Sequence, residues 1–299
     1  MWWRATDPLG RYVLASSMVN GEAYLIPLDG SPPRALGGFH PSFSAGGVAL
    51  SPDARRAAVG AVGVDASGSP SILDPADEGV IRIWELETGQ VRILRSGGKA
   101  GFDGIWFLPG ERLVSSGPEG LFLWDLKTGT HEVLSTREHY NPGGLDAQGR
   151  YLVIDTPQGV TLWDLEKRSE RILPIPFDET TALAISPNAR FIVAGRSDGE
   201  VWVLQLDEKE PHVLLGHEGW VGALWISPES DRICSAANDG TVRIWAVPKG
   251  VVLHTLPLPK LLDALRAQTN MRVVLDPKAP DGYRIKYDRF PGWEKAPIW

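Results

Sequence analysis

ALAISPNARFIVAGRSDGEVWVLQL (182–206) and ALWISPESDRICSAANDGTVRIWAV (223–247) are two copies of one unit, 41 residues apart. Each copy runs apolar, turns at Ser-Pro, runs apolar again, turns at Asp-Gly and closes on a third run rich in β-branched and aromatic residues. Short runs of that composition bounded by Gly, Pro, Asn and Asp are strands joined by tight turns. Asp198-Gly199 and Asp239-Gly240 tolerate the positive φ of a hairpin. Pro187 and Pro228 fix φ in the preceding turn, where no ladder N–H is lost. A period near forty residues is that of four-stranded sheets arrayed around an axis.

Weaker copies extend the frame: VALSPDARRAAVG with IRIWELETG (48–89), IWFLPGERLVSSGPEGLFLWDLKTG (105–129) and GLDAQGRYLVIDTPQGVTLWDLEK (144–167). Residues 2–29, with a turn at Asn20-Gly21, fit it as well. The expected fold is all-β, a propeller with six legible blades closing as six or seven. A lone blade cannot bury both faces, whereas neighbours around a ring can.

Trp124-Asp125 and Trp163-Asp164, with Trp84-Glu85 and Trp245-Ala246 as degraded versions, resemble the repeats of WD40 β-propeller proteins, over about residues 1–256. The resemblance implies a buried hydrogen-bonded tetrad in the last full copy: His217 before the first strand, Ser235 on the second, Asp239 in the turn and Trp245 on the third. Other copies depart from it. Leu204 stands where a tryptophan is expected, and Glu119 and Gln158 where the turn aspartate is. The resemblance also implies a bacterial context in which the propeller follows a kinase or ATPase module.

Composition narrows the function classes. The formal net charge of −7 and a pI near 5.4 disfavour nucleic acid, whose phosphates need clustered Lys and Arg. Cys234 is the only cysteine, so no internal disulfide forms and a reducing cytoplasm is expected; its strand position suggests a buried thiol. The opening residues lack a signal-peptide pattern and no apolar run reaches membrane-spanning length, so a membrane is not an expected partner. A monomeric domain is the expectation.

Two stretches break the repeat. GVDASGSPSILDPADEG (63–79) brings Asp65, Asp74, Asp77 and Glu78 without a basic residue, and reads as a long polar loop. Its carboxylates lack the alternating spacing of an EF-hand loop. Residues 257–299 form a tail. Leu258, Leu261, Leu262 and Leu265 fall at helical spacing, two strand-like runs (MRVVLD, YRIKYD) follow, and the tail packs on the propeller or completes it.

The search for catalytic groups finds no constellation. Gly195-Arg196-Ser197-Asp198-Gly199 matches a GxSxG pattern, but that nucleophile needs a strand-to-helix turn and here Asp198-Gly199 is a hairpin. His212 and His217 lack the HExxH arrangement, and no cluster completes a metal site. No catalytic residue, metal or cofactor is expected. The expected function is protein or peptide binding through a rim of loops, with a regulatory role in a larger protein. The alternatives are a hydrolase or lactonase with its site in the channel, and a purely structural repeat. Candidate rim residues are Trp220, Arg196 and Asn238, bordered by Asp65, Asp74, Asp77 and Glu78, an acidic edge suited to a basic partner.

Overall fold

The computed structural model describes residues 2–7, 10–17, 22–38, 44–62, 79–98, 101–138, 143–249, 271–275 and 283–287. Six antiparallel sheets follow one another along the chain. Blade 1 comprises β1 (Trp2–Thr6), β2 (Tyr12–Ser17), β3 (Glu22–Pro27) and β4 (Arg34–Gly38). Blade 2 comprises β5 (Ser44–Leu50), β6 (Arg56–Val62), β7 (Val80–Glu85) and β8 (Val91–Arg95). Blade 3 has β9 (Gly104–Leu108), β10 (Arg112–Gly117), β11 (Gly120–Asp125) and β12 (His131–Ser135); blade 4 has β13 (Gly144–Leu145), β14 (Tyr151–Thr156), β15 (Gly159–Asp164) and β16 (Ser169–Ile172). Blade 5 is β17 (Thr180–Ile185), β18 (Phe191–Arg196), β19 (Val201–Gln205) and β20 (His212–Leu214), and blade 6 is β21 (Val221–Ile226), β22 (Arg232–Ala237) and β23 (Val242–Ala246).

The Ser-Pro turn recurs because its first side chain organises the chain reversal. Ser186 Oγ accepts the N–H groups of Arg190 and Phe191, each at 3.0 Å. Ser227 Oγ accepts those of Asp231 and Arg232 at 3.1 and 3.0 Å. Where the repeat drifts to aspartate the geometry survives, since Asp146 Oδ1 accepts from Arg150 and Tyr151 at 2.7 Å and Asp7 Oδ1 from Arg11 and Tyr12 at 2.6 and 2.8 Å. Three residues after the acceptor, the backbone enters the left-handed region: Ala54, Ala189 and Ser230 have φ of 53°, 52° and 58°, and Gly10 and Gly149 occupy the same place.

Alternation along the third strand ties each blade to two neighbours. Trp84 packs in a cluster with blade 1, whereas Ile81 and Ile83 face blade 3. Trp124 faces blade 2 while Leu121 and Leu123 face blade 4, and Trp163 faces blade 3 while Val160 and Leu162 face blade 5. Leu204 takes the tryptophan's place toward blade 4, and Val201 and Val203 face blade 6. Polar stitches repeat too. Arg34, Arg92 and Arg171 on the fourth strands donate to the carbonyls of Leu86, Lys127 and Leu206 in the next blade, at 2.7, 3.0 and 3.1 Å.

First strands of successive blades lie side by side, β1 by β5, β5 by β9 and β17 by β21, which puts them at the hub. In the tail, β24 (Met271–Leu275) and β25 (Tyr283–Tyr287) pair antiparallel as the strand-like runs anticipated. The expected helix of 258–270 lies outside the described residues. Among the described residues no helix is long and apolar enough to cross a membrane.

Candidate protein-binding rim

The loop entering β21 is pinned to the turn between β22 and β23. His217 Nε2 lies 2.7 Å from Ser235 Oγ, which also accepts the indole N–H of Trp245 at 2.8 Å. The other ring nitrogen lies 3.0 Å from both Asp239 Oδ2 and Thr241 Oγ1. His217 and Ser235 are buried. Asp239 also accepts the N–H groups of Glu218 and Thr241, at 3.0 and 2.8 Å. The Thr241 hydroxyl, first, and those two N–H groups and the imidazole hold its carboxyl far below the ordinary 3.8. The four residues expected as a tetrad therefore form one network, with Thr241 as a fifth member that the repeat pattern does not single out.

This network fixes where the rim residues stand. Trp220 O accepts the N–H of Asn238 at 3.0 Å, and Asn238 itself is exposed. The Trp220 ring lies against Gly222, where a Cβ would come within 2.5 Å of Cζ3, so glycine on β21 lets the indole lie flat. The side chain remains 40% exposed. The turn of blade 5 abuts the same loop, since a Cβ on Gly199 would meet His217 O at 2.5 Å. Trp220, Asn238 and the turn after Arg196 thus gather on one side of blades 5 and 6.

Arg196 itself differs from the expectation of an open anchor. It is 5% exposed, its guanidinium 4.3 Å above the Trp202 ring, paired with Glu179 and within 3.5 and 3.7 Å of Asp198 and Glu200. Three carboxylates and an aromatic face enclose it, so it holds the rim together instead of presenting charge. What the rim presents is negative: Asp178, Glu179, Asp198 and Glu218 are exposed and Glu200 and Asp239 half-buried, against the enclosed Arg196 and half-buried Arg243. Asp178, Glu179, Glu200 and Glu218 were not singled out from the sequence, because isolated loop acids read as ordinary solvated charge. Asp65, Asp74, Asp77 and Glu78 lie outside the described residues.

Asp103, at the entrance to β9, was also missed. Burial raises its carboxyl to about 6. The Ser197 of the GxSxG pattern sits in the hairpin between β18 and β19, its N–H bound to Glu179 O at 2.9 Å. His212 Nε2 lies 3.3 Å from Glu208 Oε2. Among the described residues, no three His, Cys, Asp or Glu side chains converge as metal ligands. Cys234, expected to be buried, is half-buried.

Residues 208–246 match the family model described as WD domain, G-beta repeat, which spans blade 6 and the approach to it. The chain is similar to the nuclear distribution protein nudF of Aspergillus niger, 24% identical over 60% of this chain and 37% of that protein. It is similar to the guanine nucleotide-binding protein subunit beta of Oryza sativa subsp. japonica, 22% identical over 65% of this chain and 45% of that one. It also resembles the small ribosomal subunit protein RACK1y of the same plant, 32% identical over 27% of this chain and 24% of that protein. The chain spans less than half the length of these relatives. The repeat matched in blade 6 and six sheets built on one register give this chain the fold of a WD40-type β-propeller.

Proposed function

We propose that this chain is a non-catalytic scaffold that binds a basic protein or peptide on the rim of blades 5 and 6. The observation carrying this reading is Trp220, a large apolar side chain held 40% exposed amid carboxylates by a hydrogen-bonded network beneath it. A preorganised aromatic loses little entropy on docking, and such residues are the usual anchors of protein contacts. The acids around it favour Lys and Arg and speed encounter at low salt. Two relatives bear names of assembly components, a guanine nucleotide-binding protein subunit and a ribosomal subunit protein.

The test is fluorescence anisotropy with a labelled short peptide alternating Lys or Arg with Leu, against an acidic peptide of the same length. The basic peptide binds, more weakly as salt rises, and Trp220→Ala weakens it by at least about tenfold. Binding that ignores both Trp220→Ala and Glu218→Gln would overturn the assignment of the surface. Turnover of ester or lactone substrates that persists through repeated purification would instead support a channel enzyme.

A further inference from the structure

Blades 5 and 6 build the rim with the same backbone bond and different side chains. Ser197 N–H donates to Glu179 O at 2.9 Å in blade 5, and Asn238 N–H to Trp220 O at 3.0 Å in blade 6. Trp220 therefore stands where Glu179 does, one repeat of 41 residues on, and Ala237 stands where Arg196 does. Blade 5 completes its end internally. The Arg196 guanidinium lies 4.3 Å from the centre of the Trp202 ring, is paired with Glu179, and has Asp198 and Glu200 within 3.5 and 3.7 Å. A planar cation held between an aromatic face and carboxylates is thus a grouping this rim already stabilises.

Blade 6 repeats the aromatic and the acid without the cation. The Trp220 ring is 40% exposed, and among the described residues no guanidinium lies over it, whereas Arg11, Arg56 and Arg150 lie over Tyr12, Phe107 and Tyr151. Arg243, the cation of blade 6, is turned to Gly216, where a Cβ would come within 2.8 Å of Nη1. Glu218 is exposed, its carboxylate has no cationic partner among the described residues, and its N–H is fixed on Asp239 Oδ2 at 3.0 Å. The exposed Asn238 carboxamide makes no hydrogen bond among the described residues. A Cβ on Gly219 would overlap Asn238 Oδ1, so glycine lets that amide lie against the loop. A flat π face, a carboxylate and an amide oxygen are satisfied together by one planar cation with several N–H donors. A guanidinium stacks on the indole, is more weakly hydrated than an ammonium, and presents a fork that bonds carboxylate and carbonyl oxygens in its own plane. A lysine ammonium answers the same charge, but it is a strongly hydrated point with no face to lay on the ring.

We infer that, resting on the rim of blades 5 and 6 as the docking surface proposed above, the partner's anchoring residue is an arginine, its guanidinium laid on Trp220 and bonded to Glu218 and the Asn238 carboxamide.

Two labelled peptides of equal length and charge, one alternating Leu with Arg and the other Leu with Lys, are titrated with the full chain by fluorescence anisotropy. The Arg peptide binds at least about fivefold tighter. Trp220→Leu keeps an apolar side chain but removes the π face, and brings the two peptides within about twofold of each other, whereas Trp220→Tyr retains the preference. Glu218→Gln weakens the Arg peptide by at least about threefold. Both side chains are exposed, so the melting points of these variants stay near that of the wild type, which separates lost recognition from lost folding. Equal affinity for the two peptides, with Trp220→Ala weakening both, would overturn the arginine assignment and leave the basic-partner reading standing. A preference for Arg that survives Trp220→Leu would overturn it as well, by placing the contact elsewhere. Failure of both peptides to bind would remove the rim as the docking surface, and the arginine with it.

Discussion

The indole N–H of Trp124 donates to Ser115 Oγ at 2.8 Å, deep between blades 2 and 3. It is half of the blade 6 network, Trp245 to Ser235, kept without the histidine and the turn aspartate. Blade 4 loses even that half. Ile154 stands two residues beyond the cross-strand partner of its tryptophan, where blade 3 has Ser115, and the buried Trp163 N–H has no acceptor among the described residues.

The two tryptophans therefore respond differently to Phe. Trp124→Phe removes a buried bond and strands Ser115 Oγ, whereas Trp163→Phe removes an N–H that has no acceptor. Trp124→Phe is destabilising by about 1–2 kcal/mol more than Trp163→Phe, a melting-point gap of about 2–8 °C for a domain this size. Equal melting shifts would contradict the hydrogen-bond assignment.

His217→Ala lowers stability by about 1–3 kcal/mol in chemical denaturation, because it leaves Asp239 and Ser235 short of a partner at a buried site. Peptide binding at the rim weakens in the same variant, since the loop carrying Trp220 loses its anchor.

Acid separates Asp239 from its neighbours. Its folded pKa lies below the unfolded value, so the stability it contributes is fully present above about pH 4 and is lost as pH falls through the folded value. The melting difference between wild type and Asp239→Asn is constant from about pH 5 to 8 and shrinks below pH 4. A difference that grows on acidification would show the sign to be wrong.

Asp103 behaves in the opposite sense. With a folded pKa near 6 against an ordinary 3.8, the native state binds the extra proton between those values, so stability rises as pH falls from 7 toward 4. Asp103→Asn removes the penalty and stabilises at pH 7 by about 1–3 kcal/mol, with no gain at pH 4. Melts at the two pH values decide it.

Ala189 occupies the left-handed position of the Ser-Pro turn that Gly10 and Gly149 fill elsewhere. Ala189→Gly relieves the clash of Cβ with the carbonyl, offset in part by the freer unfolded chain. The net is a gain of about 0.5–1 kcal/mol by denaturant titration.

The repeat was legible because each of its signals is local. Ser186 and Ser227 must accept N–H groups four and five residues on, Asp198-Gly199 and Asp239-Gly240 must make tight turns, and strand alternation must supply apolar residues to both neighbours. Spacing therefore made six four-stranded units legible and left the closure at six or seven open, while the blade 6 network followed from the resemblance to the WD40 repeat. What the sequence could not decide is which charges meet at the end of a blade. Glu179 and Glu200 are ordinary acids in the chain, yet folding brings both to Arg196 and turns an apparent anchor into a buried strut. Nor does the pattern distinguish Val201 from Val242, which hold the same place in their repeats. One is sealed and the other open, because burial depends on whether another sheet stands beside the blade, a property of the assembled ring and of no single repeat.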